Sequence, residues 1–303
     1  MTDVRPDATH GQALEAGLLG RVGPEEVLNA LSLVKTGRIY DLDSTRWSGM
    51  PVAGEHPPFQ VMTYRSPRGA RNQGDIAWIH QGNDVQAGMI SDLVMGTMHS
   101  GTHIDALSHI TCGDNSHWYG GFEADNALGD FGALHCDAAS IPPIVTRGIL
   151  IDVAGRLGLR ALPRGFAISA DVLAATLQAQ GIEVRRNDAV LVRTGYMAVW
   201  PDASATREHE NAGLDHSAAL YLADRGAVLV GSDTEGTEVD PSGVPGNPVP
   251  VHIELLINCG IFIAELVNLE ELAADRVFEF CFVCLPLRVR GATASMVRPI
   301  AVS

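Results

Sequence analysis

The sequence predicts an α/β fold, and three observations carry that prediction. From residue 148 onward, short apolar runs alternate with segments of helical pattern, as they do in chains built around a mixed or parallel sheet. The 303 residues are 46% hydrophobic and 19% charged, a balance that supports a sizeable buried core and excludes wholesale disorder. No internal repeat, low-complexity tract or linker interrupts the chain. At about 100–200 residues per domain the length allows one large domain or two small ones, and the uninterrupted pattern favours one.

Taken in order, residues 10–35 carry two short helical patterns, read as a helical extension (1–36) ahead of the main domain (37–303). The second pattern follows Gly23-Pro24 and puts Glu25 and Glu26 in its first turn, where the helix dipole favours acids. A strand is expected at 37–42. The stretch 47–74 is rich in Pro, Gly and His and reads as long loops around one strand at 59–64; loops of that length tend to be functional. Residues 148–153 form an apolar strand. Ser169 is placed to cap a helix through Leu177 that stops at Gly181, and 189–193 is another buried strand. Asp215 caps a helix through Ala223. Strands at 227–231 and 261–266 follow, with a helix between them at 251–257.

Charge narrows the partners. Lys and Arg number 21 against 36 Asp and Glu, a net −15, and the arginines come singly or in pairs. Polyanion binding needs a cationic surface that releases counterions, so nucleic acid and anionic membranes are not expected partners. Nothing approaches 18 consecutive apolar residues, and the polar N-terminus lacks a basic segment followed by an apolar one. The expectation is a soluble, cytoplasmic protein. Five cysteines form no even framework. Cys281 and Cys284 resemble a Cys-x-x-Cys pair, but they lie in a strand-like run (277–285) where residues three apart face opposite ways, so they are read as core.

The chemistry concentrates in Met98-His-Ser-Gly-Thr-His-Ile-Asp-Ala-Leu-Ser-His109. Imidazole and carboxylate together are the ligand set of zinc, manganese or ferrous iron. On a helix, His99 and His103 share a face but Asp105 lies about 240° round from His99. On a strand all four groups point one way, yet His99 and His103 stand about 13 Å apart at roughly 3.3 Å per residue. A bend at Gly101, which tolerates backbone angles that other residues resist, gathers them. Three histidines and an aspartate buried together without a cation would leave unsatisfied polar groups.

The pattern His-x-Gly-Thr-His-x-Asp-x-x-x-His resembles the signature of the metal-dependent cyclase/hydrolase family that includes bacterial kynurenine formamidase and isatin hydrolase. Further likeness lies in Gly231-Ser-Asp-Thr234, in the block from Val251-His252 to Glu265, and in Pro299-Ile-Ala301. The resemblance implies a single α/β domain with a mixed-sheet or barrel-like core flanked by helices, assembled as a dimer or tetramer. It also implies that His99, His103 and Asp105 bind one divalent ion, zinc or manganese. Asp105 would bridge to a second ion completed by His252 and Glu265, with Glu254 a competing ligand, and His109 would be the acid/base group. The formamidases carry a substrate-stacking Trp in a Trp-Pro-Gly segment where this chain has Gly49-Met-Pro-Val-Ala-Gly54, which points away from N-formylkynurenine as substrate.

A divalent ion lowers the pKa of water bound to it towards about 7. The resemblance thus implies hydrolysis of an amide or ester carbonyl, open or cyclic, for which a bound ion would supply the activated water and a histidine would move the proton to the leaving atom. A cyclase or lyase that adds no water, and a non-catalytic binding protein of the same fold, are the alternatives. Trp47, Phe59 and Tyr119 are candidates to contact a small-molecule substrate. Asp233 and Glu238 are candidates to orient the ligating histidines, or else solvated loop acids.

Overall fold

Apolar runs such as 148–151 and 189–192 have no polar face to offer solvent and must be covered on both sides, and the fold does this with helices. The computed structural model describes residues 14–303; the first residues of the predicted N-terminal helical stretch lie outside them. Eleven strands of three or more residues organise the described residues: β1 Ile39–Asp41, β2 Gln60–Arg65, β3 Ser91–Met95, β4 His103–Asp105, β5 Ile144–Asp152, β6 Ala189–Arg193, β7 Leu229–Ser232, β8 Phe262–Glu265, β9 Glu279–Cys284, β10 Ala294–Met296 and β11 Ile300–Val302. Nine of them make one sheet in the order β1-β11-β9-β5-β6-β7-β8-β4-β10. The architecture is a single α/β domain whose mixed sheet curls into a half-barrel flanked by helices.

The centre, β5-β6-β7-β8, is parallel. Each parallel step needs a crossover, and the crossovers carry the helices Ala170–Gln180, His216–Asp224 and the turn beginning Pro250–His252. Their starts are where the sequence puts them: Ser169 accepts from the Val172 N–H and Asp215 from the Ala218 N–H. Parallel strands covered on both faces are apolar throughout, and every residue of β6 to β8 is buried. Both flanks are antiparallel: β9, β11 and β1 on one side, β4 and β10 on the other. The helix Pro24–Ser32 lies on β5 and β9, its Gly23 N–H held by Glu26 at 2.9 Å.

Within residues 47–74 the one expected strand is present as β2, but 67–73 is helix, not loop. β2 pairs antiparallel with β3 in a separate two-stranded ribbon, and the connection between them contains helices Pro67–Gln73 and Ala77–His80. Neither strand has a buried face, so β3 lacks the in/out alternation by which a half-buried strand is recognised. Cys281 and Cys284 are buried in β9, as expected, and all five cysteines are free. Among the described residues no helix is long and apolar enough to cross a membrane.

Candidate metal centre

Strand β4 is three residues long, and its alternation decides the site. His103 and Asp105 face one way, while Ile104 enters the core on the other. In antiparallel register, Glu265 on β8 sits directly opposite His103, which brings the two side chains onto one face within reach of each other. His99 is returned to the same place by the turn at Gly101, which has φ +58° and a Cβ position only 2.9 Å from the Ser44 hydroxyl. The expected bend therefore exists.

The turn is held from behind by residues with no metal-binding chemistry. The Ser44 and Thr102 backbone N–H groups each donate to the other's hydroxyl at 2.8 Å, and the Thr102 hydroxyl donates to the Leu266 carbonyl at 2.6 Å. The Arg46 guanidinium donates to the carbonyls of Ser100, Thr102 and Val297 and is paired with Asp43. The Ser100 hydroxyl closes on the Thr97 carbonyl. The second histidine block is equally fixed. His252 ends a helical turn that widens into a π-helical one over Ile253–Cys259 and stops at Gly260 (φ +65°), whose missing Cβ leaves room for the Tyr119 ring.

These elements converge. His103 Nε2 lies 3.5 Å from Asp105 Oδ1 and 3.4 Å from Glu265 Oε2. His252 Nε2 lies 3.4 Å from Glu265 Oε1 and 3.7 Å from Asp105 Oδ2. His99 Nδ1 is 3.0 Å from Asp105 Oδ1, with its Nε2 3.2 Å from the Thr293 hydroxyl. His109 stacks beside His99 at 4.1 Å between ring centroids and faces His252 at 6.2 Å. His99, Asp105 and His109 also offer atoms within 4.8 Å of one another, as do His103, Asp105 and Glu265. Glu254 lies elsewhere, bonded to Asn258 and the Cys259 thiol; Glu265 is the acid that faces the cluster.

A cation fits this set. His103 Nδ1 lies 2.8 Å from the Gly101 carbonyl, which can only accept, so Nδ1 carries the hydrogen and the neutral ring aims its Nε2 lone pair at two carboxylates. His252 is arranged the same way, with Nδ1 against Glu238 and Nε2 towards Glu265 and Asp105. His103 Nε2 and both oxygens of Asp105 are buried without a hydrogen-bond partner, an arrangement that is unfavourable unless a cation or extra protons occupy it. The local field agrees. Burial disfavours charge at His103, yet Glu265 and Asp105 raise its pKa, and Glu238 and Glu265 raise that of His252 further. Despite burial, the surrounding imidazoles lower Asp105, and they hold Glu265 down at about 2. His109 goes the other way: burial, reinforced by His99 and His252, lowers it to about 4.

The cluster opens into a cavity of about 400 Å³ walled by Val52, Ile110, Val249, Glu55 and Glu235. Trp47, Phe59 and Tyr119 are not among its walls. Trp47 packs edge-on against Trp200 at 5.2 Å, Phe59 is buried against Gly96, and Tyr119 covers Gly260. Of the two candidate orienting acids, Glu238 fills that position on His252 and also accepts the Val251 N–H at 3.0 Å. Asp233 instead ties β7 to β6, accepting from the Thr194 N–H, the Thr194 hydroxyl and the Gly195 N–H at 2.7–2.8 Å. The sequence reading missed His56, which stacks on His99 at 4.6 Å and lines the cavity; its only signal was its place in the Pro- and His-rich stretch.

A model of the putative cyclase family matches residues 40–239. The solved structure described as a novel cyclase superposes with TM-score 0.82 at 25% identity, covering 97% of this chain and 98% of that one. Isatin hydrolase A from Ralstonia solanacearum superposes with TM-score 0.65 at 18% identity over 100% of both chains. A structure described as a potential metal-dependent hydrolase with cyclase activity gives TM-score 0.53 at 20% identity, covering 87% of this chain and 98% of that one. No curated protein matches.

Proposed function

This chain belongs to the putative cyclase family, and from that premise we propose that it is a metal-dependent hydrolase acting on an amide or ester carbonyl, cyclic or N-acyl. The observation that carries the reading is the buried convergence of His103 Nε2, His252 Nε2 and the Asp105 and Glu265 carboxylates at 3.4–3.7 Å, with His103 Nε2 buried and without a hydrogen-bond partner. His99, His103 and Asp105 are assigned to one divalent ion, zinc or manganese, with His252 and Glu265 next to the Asp105 carboxylate for a second. When bound, the metal supplies Lewis acidity, making a water acidic and polarising the substrate carbonyl.

The protein's own groups do the rest. His109, held uncharged at neutral pH by burial, takes the proton of the attacking water on a ring nitrogen and delivers it to the leaving nitrogen or oxygen, a transfer typically worth about 10²–10⁴ in rate. The Gly101 carbonyl and Glu238 fix the tautomers of His103 and His252, which keeps both Nε2 atoms available. Val52, Ile110 and Val249 exclude water from the apolar part of a small substrate.

Elemental analysis of protein purified without chelator tests the metal, and a panel of amides and lactones turned over in ¹⁸O-water tests the chemistry. The reading expects near-stoichiometric zinc or manganese that is lost in His103→Ala, and one solvent oxygen in the product. It expects His109→Ala to keep the metal while turnover falls by about 10²–10⁴. Absence of metal after supplying zinc and manganese, or product without solvent oxygen, overturns it.

A further inference from the structure

We propose that His56 is a positioning residue for the metal centre: its ring sets the plane of the His99 ring. The segment 57–98, an arm built on the β2–β3 ribbon, is what brings the two rings together. This role rests on His99 being a ligand, as assigned above.

Two of the histidines assigned to the metal are oriented from behind by acceptors, the Gly101 carbonyl for His103 and Glu238 for His252. His99 is held differently. Its Nδ1 stands 3.0 Å from Asp105 Oδ1, and its Nε2 meets the Thr293 hydroxyl at 3.2 Å, a group that can donate or accept. That contact keeps the Nδ1 edge towards Asp105 but leaves the tilt of the ring open. The His56 ring closes this freedom. It lies within 8° of parallel to His99, at 4.6 Å between centroids, so His99 cannot turn about its Cβ–Cγ bond without running into it. His109 also lies against His99, at 4.1 Å, but is tilted by 38°, and it is the group assigned to move protons. The stack is attractive as well as obstructive. An imidazole bound to a cation is electron-poor, and the electron-rich face of a neutral ring packs favourably on it.

The ribbon delivers His56 by register. β2 and β3 pair Val61 with Val94 and Gln60 with Met95. Continued past Gln60, the same register sets Phe59 against Gly96, Pro58 against Thr97 and His56 against His99. The first of these is tight, since a Cβ on Gly96 would stand 2.8 Å from the Phe59 Cα. Pro57 and Pro58 have no N–H with which to extend the ladder, and the pairing passes from backbone to side chains, which lie close enough across a strand pair for rings to meet. Both approaches are anchored. The His56 N–H donates to the Ala53 carbonyl at 3.0 Å, the Gly49 N–H donates to the Phe59 carbonyl at 3.4 Å, and Phe59 is buried. On the other side the Thr97 hydroxyl accepts the His99 N–H at 3.1 Å. The ribbon thus has a use that its own exposed faces do not show: it closes the arm so that its two ends present one ring to another.

Cobalt(II) titrated into the full-length protein, without substrate, tests this role independently of turnover. Cobalt accepts the same imidazole and carboxylate ligands, its affinity is read by competition with a chelator, and its visible bands report the geometry of its ligands. His56→Ala should weaken cobalt binding about 3–10-fold, the loss expected for one aromatic stack, and should shift the visible bands while circular dichroism stays unchanged. His56→Gln, polar but without a ring, should behave like His56→Ala. His56→Phe, which keeps a flat ring and has no ring nitrogen, should restore both affinity and spectrum. Ala and Gln variants that match wild type in affinity and spectrum overturn the proposal. So does a Phe variant no better than Ala, because the ring nitrogens and not the stack would then matter, and so does a change in circular dichroism in the Ala and Gln variants, which would make His56 a residue of the fold. A wild type that takes up no cobalt overturns the metal reading and this role with it, whereas unaffected variants of a cobalt-binding wild type overturn this role alone.

Discussion

Between His56 and His99 the chain leaves the metal centre along β2 and returns along β3; between His99 and Ser108 it never leaves the interior. The two stretches are neighbours in sequence, yet every residue from His99 to Ser108 is buried while both strands of the ribbon are exposed. In the stretch from His99 to Ser108, short side chains and backbone atoms are tied to three distant segments, through Ser44, Leu266 and Val297. In the ribbon stretch, the polar ties are local, such as Arg65 with Asp75 and Asn83 with the Ile79 carbonyl. Rigidity here comes from the number of distant partners each residue has, and hydrophobicity alone supplies none of it.

Substitutions should separate the two stretches by size of effect. The largest is expected at Asp105, the carboxylate shared by the cluster. Asp105→Asn should remove the metal and lower turnover by roughly 10³ or more, about 4 kcal/mol in barrier, as read by steady-state rates and elemental analysis. Next is Arg46→Met, which strips donors from three carbonyls behind the ligand turn and leaves Asp43 without its cation; denaturant unfolding should show a loss of about 2–4 kcal/mol. Glu238→Gln, isosteric but neutral, should weaken metal binding about 10–100-fold in a competition titration while leaving the fold intact. Gly101→Ala, forced to hold a left-handed backbone against Ser44, should cost about 1–2 kcal/mol, seen as a lower Tm. At the small end, Val85→Ser on the arm should stay within about 0.5 kcal/mol. Comparable losses at Val85 and Gly101 would erase the contrast between the stretches.

What was legible in the sequence follows the same division. The parallel centre could be read because burial on both faces writes continuous apolar runs at 148–153 and 189–193, and the helix starts because Ser169 and Asp215 cap by local hydrogen bonds. The site could be read where ligands are close in sequence, at His99, His103 and Asp105. Glu265 and His252 came only with a family likeness, since nothing local says that β8 will pair with β4. The ribbon was half missed: β3 obeys no alternation because no face of it meets this chain's core. Trp47 and Tyr119 drew attention as aromatics near a motif, but the structure uses Trp47 against Trp200 and Tyr119 over Gly260, pairings that spacing cannot express.

The pairing of Glu265 with His103 across two adjacent strands also bears on how this protein can change. A register slip of one residue turns every side chain of a strand to the other face, so it would move the ligands out of the centre together instead of adjusting them by degrees. The strand-borne part of the site is thus close to all-or-none, and gradual variation has little purchase there. The cavity walls supplied by loops, Val52, Glu55, Glu235 and Val249, are under no such constraint. Divergence towards new carbonyl substrates, by selection in nature or in the laboratory, should accumulate in those loops while the four strand positions His103, Asp105, Ala264 and Glu265 stay fixed.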